Sequence, residues 1–124
     1  MKVGFYTPLE VEPADEFDDG LWRLQCNLNY YSEVLGKAVI VPAGFVTDFA
    51  SVPRIPVVYE LCGAKANEAS VVHDFLYSRG DICTRAQADA VFKEAMKVTG
   101  VSAWRANVMW AGVRVFGGLH WGKP

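Results

Sequence analysis

Three side chains near the middle of the chain stand at spacings that could support acid–base chemistry. Residues 69–77, Ala-Ser-Val-Val-His-Asp-Phe-Leu-Tyr, place His73 and Asp74 in an otherwise apolar run, where ionisable groups are costly unless they are paired. On a helix, His73 and Tyr77 share one face, while Asp74 points roughly 100° away. A histidine that is oriented by a carboxylate can serve as a general base.

A second segment, residues 84–92, offers the carboxylate that His73 requires. Asp89 lies on a predicted helix stripe together with Arg85, Phe92 and Met96. If the two helices pack antiparallel, Asp89 can face His73. Each of the two is a polar interruption of an apolar face and needs a partner, so we expect a hydrogen bond between them.

The pair of His73 and Asp89 allows three interpretations. As a buried polar pair it would hold two helices in register, because such pairs often specify packing rather than chemistry. As a dyad it would activate water beside a cation site. As part of a metal site, His73 would be joined by Asp74, Asp48 or Asp81, although no HExxH-like spacing supports this.

The segment before these helices, residues 45–54, is rich in side chains that form turns. Thr47, Asp48 and Ser51 are good local hydrogen-bonding residues. They could fix the crossover from strands to helices, or Asp48 or Ser51 could project into the same pocket as His73. We expect Asp48 to approach the His73 cluster. Ser51 lacks the GxSxG and SxxK patterns of nucleophilic serines.

The first half of the chain has the patterning of antiparallel strands. Residues 3–6 suggest a short strand, and the acidic residues 10–20 suggest a solvated loop. Residues 21–31 alternate apolar and polar side chains, as a strand with one buried face does. Gly36 and Lys37 mark a hairpin turn, after which the β-branched residues 38–42 return as a second strand.

The second half has helical patterning. Pro53 and Pro56 forbid a regular helix between them, and a short helix is expected at residues 57–62. Asn67 is the predicted N-cap of the His73 helix, and Thr84 opens a capping box for the Asp89 helix. Ser102 caps a third helix over residues 103–116, whose predicted inner stripe is Val108, Met109, Gly112, Val113 and Phe116. The chain is therefore predicted to be α+β, with an antiparallel β N-terminal half to about residue 47 and three or more helices after it.

Composition narrows the classes of protein. A chain of 124 residues with 52% hydrophobic side chains is expected to form a single domain, residues 1–124. A net charge of −2, with no run of basic residues, does not indicate a surface that binds nucleic acid. Neither a signal peptide nor a membrane span of about 20 apolar residues is apparent. Three widely spaced cysteines with no CxxC pair indicate reduced thiols in a cytoplasm, although one bridge would be open to them in an oxidising compartment.

Three motifs in order carry a family resemblance. They are residues 41–54, Val-Pro-Ala-Gly-Phe-Val-Thr-Asp-Phe-Ala-Ser-Val-Pro-Arg, then the His73-Asp74-x-x-Tyr77 segment, then Arg85 with Ala88-Asp89-x-x-Phe92. The chain resembles a small domain-of-unknown-function family encoded mainly by tailed bacteriophages and prophages. The resemblance implies an accessory protein of the virion, tail or its assembly, made in the host cytoplasm, with other phage structural proteins as partners. Presence in the virion and an oligomeric state stay open.

A second, local resemblance concerns residues 69–92 only. His-Asp-x-x-Tyr on one helix and Ala-Asp-x-x-Phe on the next are similar to the helix pair of phospholipases A2. The resemblance implies that His73 is the general base, that Asp89 orients it with support from Tyr77, and that Asp74 binds calcium. It implies a lipid or other ester as substrate, hydrolysed during phage entry or lysis. The glycine-rich calcium loop of that family is replaced here by residues 62–67, which contain one glycine and Lys65.

Overall fold

The structure, a computed structural model, describes residues 1–15, 18–48, 66–119 and 121–122. Strands occupy the first part of this described chain, and helices occupy the second. The strands are β1 (Gly4–Phe5), β2 (Val11–Asp15), β3 (Asp18–Leu24), β4 (Leu28–Ser32), β5 (Lys37–Val41) and β6 (Val46–Thr47). The helices are α1 (Asn67–Ser78), α2 (Arg85–Val98) and α3 (Ala103–Phe116), and a 3-10 turn at Gly117–Leu119 extends α3. The predicted α+β class, with antiparallel strands before helices, is confirmed.

The strands form two three-stranded sheets in which every pairing is antiparallel. One sheet has the order β1-β4-β5 and the other has the order β2-β3-β6. The predicted hairpin joins β4 to β5, with Leu28 opposite Val41 and Ser32 opposite Lys37. Gly36 supplies the positive φ of 66° that this turn requires.

The single strand expected over residues 21–31 is wrong, because the chain divides there into β3 and β4, which belong to different sheets. The division falls at residues 25–27, where Asn27 accepts a hydrogen bond from the amide of Ala43 through its side chain, at 2.8 Å. The backbone carbonyl of Asn27 also accepts from the hydroxyl of Thr7, at 2.9 Å. An asparagine that bonds the backbone of other segments stabilises a bend in place of a continuous strand.

The solvated loop expected over residues 10–20 is also wrong where the structure describes it. Residues 11–15 form β2, which pairs with β3 from Val11 opposite Leu24 onward. The acidic side chains did not prevent a strand, because an antiparallel sheet can face water on one side. Arg23 pairs with Glu12 across these strands at 3.4 Å.

The helix boundaries agree closely with the prediction. The capping box is confirmed: the amide of Gln87 donates to the Thr84 hydroxyl at 3.1 Å, and the amide of Thr84 donates to the Gln87 side chain at 2.9 Å. The N-cap predicted at Asn67 is wrong by one residue, since Ala66 holds that position and no side chain caps α1. Ser102 holds the N-cap position of α3 but makes no capping hydrogen bond.

The core lies between the β1-β4-β5 sheet and the helices, where α1 contacts β5 and α2 contacts β4. Helix α2 is the central helix, because it packs against both α1 and α3. In α3 the inner residues are Ala106, Met109 and Val113. The predicted inner positions of Val108 and Phe116 are wrong, since both side chains are exposed. Within the described residues, no helix is both long and apolar enough to cross a membrane.

Candidate functional site: a buried cluster around Asp89

The hydrogen bond predicted between His73 and Asp89 is confirmed. Nε2 of His73 lies 2.7 Å from Oδ1 of Asp89, on the packed pair α1 and α2. The side chains are 2% and 0% exposed. An ionised carboxylate can only accept hydrogen bonds, so the ring proton of this contact belongs to Nε2 of His73.

Tyr77 shares the same carboxylate oxygen. Tyr77 lies one turn beyond His73 on α1, and its hydroxyl donates to Oδ1 of Asp89 at 2.5 Å. The two ring centroids of His73 and Tyr77 are 4.1 Å apart. The predicted position of Tyr77 as a second hydrogen-bonding support of the carboxylate is confirmed, while a catalytic role for the three residues stays a prediction.

Two arginines complete the cluster and share the single carboxylate of Asp89. Nη1 of Arg114, on α3, donates to Oδ2 of Asp89 at 2.8 Å. Nη1 of Arg85 lies 3.9 Å from the same oxygen, one helical turn before Asp89. The Arg85 guanidinium also donates to the carbonyls of Val113 and Arg114, both at 3.2 Å, near the C-terminal end of α3. Cations are favoured at a helix C-terminus, so Arg85 joins α2 to α3.

The pKa of Asp89 reflects two opposing effects. Burial raises it, but the hydrogen bonds from His73, Tyr77 and Arg114 outweigh burial and hold the pKa below its ordinary value. The carboxylate is therefore ionised at neutral pH. Burial and the hydrogen bond to Asp89 raise the pKa of Tyr77, so Tyr77 stays a neutral donor.

Aromatic rings enclose the cluster. The ring centroids of Phe92 and His73 are 4.7 Å apart, and the rings of Trp121 and Tyr77 are nearly perpendicular with their centroids 5.2 Å apart. A Cβ atom added at Gly117 would lie 2.5 Å from the Tyr77 hydroxyl oxygen. The chain thus needs a glycine at this position so that Tyr77 can reach Asp89 beneath the end of α3.

The predicted metal ligands are not brought together within the described residues. Asp74 is half-buried and its Oδ2 accepts from the Thr47 hydroxyl at 2.5 Å. Asp48 is exposed at the end of β6, and Asp81 pairs with Arg79 on the surface at 3.2 Å. No group of three or more His, Cys, Asp or Glu side chains in the described part of the chain could hold a metal ion. Thr47, the residue before Asp48 and the last of β6, bonds to α1 through this contact with Asp74.

Several predicted positions lie outside the described residues. These are the short helix at residues 57–62, Ser51, Lys65, Cys62, and the two prolines Pro53 and Pro56. The part of the calcium loop that the resemblance places at residues 62–65 belongs to them. Cys26 and Cys83 are free thiols.

A second polar contact, which no sequence pattern indicated, fixes α2 to the hairpin. Oε1 of Glu94 accepts from the hydroxyls of Tyr30 and Ser32, at 2.8 and 2.9 Å. Its Oε2 accepts from the amides of Glu33 and Val34, both at 3.1 Å. Burial and the hydrogen bond to Glu94 raise the pKa of Tyr30. One carboxylate therefore anchors the turn between β4 and β5 to the central helix.

Arg114 is the site residue that sequence reasoning missed. A signal was present, because Arg105 and Arg114 are the two charged residues of an otherwise uncharged helix. A charge beside the buried Val113 requires a partner. The spacing of Arg85 and Asp89, four residues apart, was likewise a visible pairing signal.

The cluster can keep three helices in a fixed arrangement, because α1 contributes His73 and Tyr77, α2 contributes Asp89 and Arg85, and α3 contributes Arg114. A carboxylate that already pairs with arginine offers less stabilisation to an imidazolium than a carboxylate with no other cation. This arrangement is therefore better suited to holding the helices together than to accepting a proton during a reaction.

Fold and site together define a small α+β domain whose helical half is joined by a buried His–Asp–Arg cluster. Residues 22–113, which contain both sheets in part and all the cluster residues but Arg114, match the model of a family described as "Protein of unknown function (DUF1353)". The match covers most of the chain, so the chain belongs to this family. No curated protein and no solved structure matches it.

Proposed function

We propose that this chain is a bacteriophage-encoded, non-enzymatic accessory protein of the virion, its tail or their assembly. In this proposal the His73–Asp89 pair is a structural element. The phage assignment is supported by the three motifs that resemble phage and prophage sequences, and the non-enzymatic assignment is supported by the geometry of the cluster.

The observation that carries the non-enzymatic assignment is the state of Asp89. Its carboxylate is buried, accepts from His73, Tyr77 and Arg114, and has a second guanidinium 3.9 Å away. A general-base histidine becomes a cation when it takes a proton from water. Here that cation would form beside two arginines that already share one carboxylate, and in a side chain that is 2% exposed.

A small ester hydrolase of the phospholipase A2 kind is the second candidate, and one observation favours it. His73 uses Nε2 for Asp89, and Tyr77 donates to the same oxygen, which is the support that the local resemblance implies for a general base. Asp74, implied as a calcium ligand, follows His73 directly, but its Oδ2 is engaged by Thr47.

An activity assay separates the two candidates. Purified wild-type protein and His73→Ala would be incubated with phosphatidylcholine–phosphatidylglycerol vesicles, with calcium and with a chelator, and released fatty acid would be measured. We expect no release above buffer from either protein, and a lower melting temperature for His73→Ala. Calcium-dependent release that His73→Ala abolishes, with an unchanged circular dichroism spectrum, would establish the hydrolase instead.

The phage assignment has its own test. The encoding gene would be deleted from its phage or prophage, and particles from the parent and the deletion strain would be compared by electron microscopy and mass spectrometry. We expect the protein in purified particles, or a defect in particle formation without it. The role would be contradicted if particles from the parent lack the protein and particles from the deletion strain are normal and infectious.

A further inference from the structure

Helix α3 carries an apolar stripe on the side that faces away from the core. Its buried residues are Ala106, Met109 and Val113. On the opposite side, at helical spacings of three or four residues, stand Trp104, Val108, Ala111, Val115 and, in the 3-10 turn that extends the helix, Leu119. We define these five residues as the outer stripe. A helix that is apolar on both sides normally has both sides covered.

The outer stripe is open to solvent in the single chain. Trp104, Val108, Val115 and Leu119 are 55, 51, 71 and 75% exposed, and Phe116 at its flank is 73% exposed. Single exposed apolar side chains are ordinary on protein surfaces, but a contiguous row marks an interaction surface. We propose that the outer stripe is the interface of a homodimer, in which α3 of one copy packs antiparallel on α3 of a second copy.

The order of side-chain sizes identifies a second copy as the occupant. Val108 lies three residues before Ala111, and Val115 lies three residues after Gly112. Trp104 lies seven residues before Ala111, and Leu119 lies seven residues after Gly112. The four large side chains of the stripe are therefore placed symmetrically about the point between Ala111 and Gly112. In a two-fold interface, residue i of one copy meets residue j of the other and j meets i. An antiparallel pair would place Val108 opposite Val115 and Trp104 opposite Leu119.

The centre of the stripe allows the helices to approach closely. Ala111 is small and exposed, and a Cβ atom added at Gly112 would meet nothing within 4 Å. Larger side chains on both sides of this centre can then interdigitate with those of the partner helix. Helix axes approach to about 8–10 Å depending on the side chains at the contact, and small central residues favour the shorter distance.

Charge also fits a second copy. The exposed residues of α3 are all uncharged. Of the two charged residues in the helix, Arg114 is bonded to Asp89, and Arg105 lies with its guanidinium carbon 5.2 Å from the Trp104 ring. A two-fold axis brings identical surfaces together, so like charges in the stripe would repel one another. The five stripe residues are uncharged, and Arg105 lies against Trp104 at one end of the stripe, so an antiparallel pair keeps the two copies of Arg105 at opposite ends.

The available area predicts a weak dimer. The four large stripe residues and the flanking Phe116, all more than half exposed, contribute roughly 100 Å² each, which gives roughly 1,000 Å² over two copies. That is about the lower limit of a specific interface. We therefore expect dissociation in the micromolar range, on the order of 10 µM. The inference is independent of the proposed function, since either candidate function is compatible with a dimer.

Sedimentation equilibrium of the full chain from about 1 to 200 µM, a range that brackets the expected dissociation constant, tests the proposal. We expect a monomer–dimer equilibrium that Val108→Glu weakens by at least about tenfold. The double variant Val108→Glu/Val115→Lys places opposite charges across the two-fold axis and should restore much of the lost affinity. Ile40→Glu is the matched control, because Ile40 is 53% exposed on β5, far from α3 in the sequence, and it should leave the equilibrium unchanged.

Three outcomes would overturn the proposal. A monomer over the whole concentration range would exclude the homodimer. A dimer that Val108→Glu leaves intact would place the interface elsewhere. Binding of the wild-type monomer to lipid vesicles or to another purified phage protein, lost in Val108→Glu and without self-association, would assign the stripe to a different partner. Circular dichroism would check that each variant is folded. We expect that they fold, because the substituted positions are exposed.

Discussion

Replacement of Asp89 by asparagine is the most informative perturbation of the cluster. The substitution preserves the volume of the side chain and leaves one oxygen that can accept from His73 and Tyr77. It removes the negative charge and turns an amide NH₂ group towards Arg114, whose Nη1 lies 2.8 Å from Oδ2 of Asp89. Donor then faces donor, and the two arginines lose their shared counter-ion.

The magnitude follows from the burial of Asp89 and the partial exposure of its partners. Removing one member of a buried ion pair costs about 3–5 kcal/mol. Arg114 is 33% exposed and Arg85 is 26% exposed, so water can partly solvate them once Asp89 is neutral. We therefore expect the lower end, about 3 kcal/mol of the free energy of unfolding. For a domain of this size, that corresponds to a fall of roughly 10–20 °C in the melting temperature.

Urea and thermal unfolding followed by circular dichroism measure this effect. Asp81→Asn is the matched control, because Asp81 also pairs with an arginine but is 68% exposed, and its midpoint should stay that of the wild type. The double variant Asp89→Asn/Arg114→Gln should recover part of the loss, with a coupling energy above about 1 kcal/mol. If the free energy of unfolding of Asp89→Asn lay within about 1 kcal/mol of the wild-type value, the conclusion that Asp89 holds the three helices together would be refuted.

Three further predictions concern the same framework. Glu94→Gln turns an NH₂ group towards the amides of Glu33 and Val34, and should lower the free energy of unfolding in urea by about 1–3 kcal/mol; an unchanged midpoint would show that the hairpin needs no anchor on α2. Gly117→Ala should lower the melting temperature because its Cβ would lie 2.5 Å from the Tyr77 hydroxyl oxygen, whereas Gly118→Ala, whose Cβ would meet only Arg85 atoms at 3.8 Å or more, should be tolerated. The depressed pKa of Asp89 contributes stability that is complete above the ordinary aspartate pKa of about 3.9 and is lost as pH falls through the lower folded value. Urea midpoints should therefore fall less steeply below about pH 4 in Asp89→Asn than in the wild type. If the midpoints of both proteins fell equally steeply with pH, the lowered pKa of Asp89 would be contradicted.

Local chemistry in the sequence was sufficient for the helices and for the central contact. The Thr84–Gln87 capping box starts α2 where expected, since it depends on residues three positions apart. His73 and Asp89 were predicted to meet because each polar group on an apolar helix face needs a partner, and the nearest candidate lay on the next helix. The support from Tyr77 was implied by the local resemblance, and helix spacing indicated only that Tyr77 shares a face with His73.

Tertiary structure alone decided which strands pair, where Arg114 lies and which side of α3 is covered. Residues 21–31 alternate as one strand would, but the bonds of Asn27 to Thr7 and Ala43 connect segments that are distant in sequence, and periodicity carries no information about them. Arg114 reaches Asp89 across 25 residues, through the packing of α3 on α2. Helix α3 is apolar on two sides, so its sequence could not indicate which one faces the core. The packing of Met109 and Val113 on α2 made that choice and left Val108 and Val115 exposed, because a helix at the edge of a three-helix layer can bury only one of two apolar faces within its own chain.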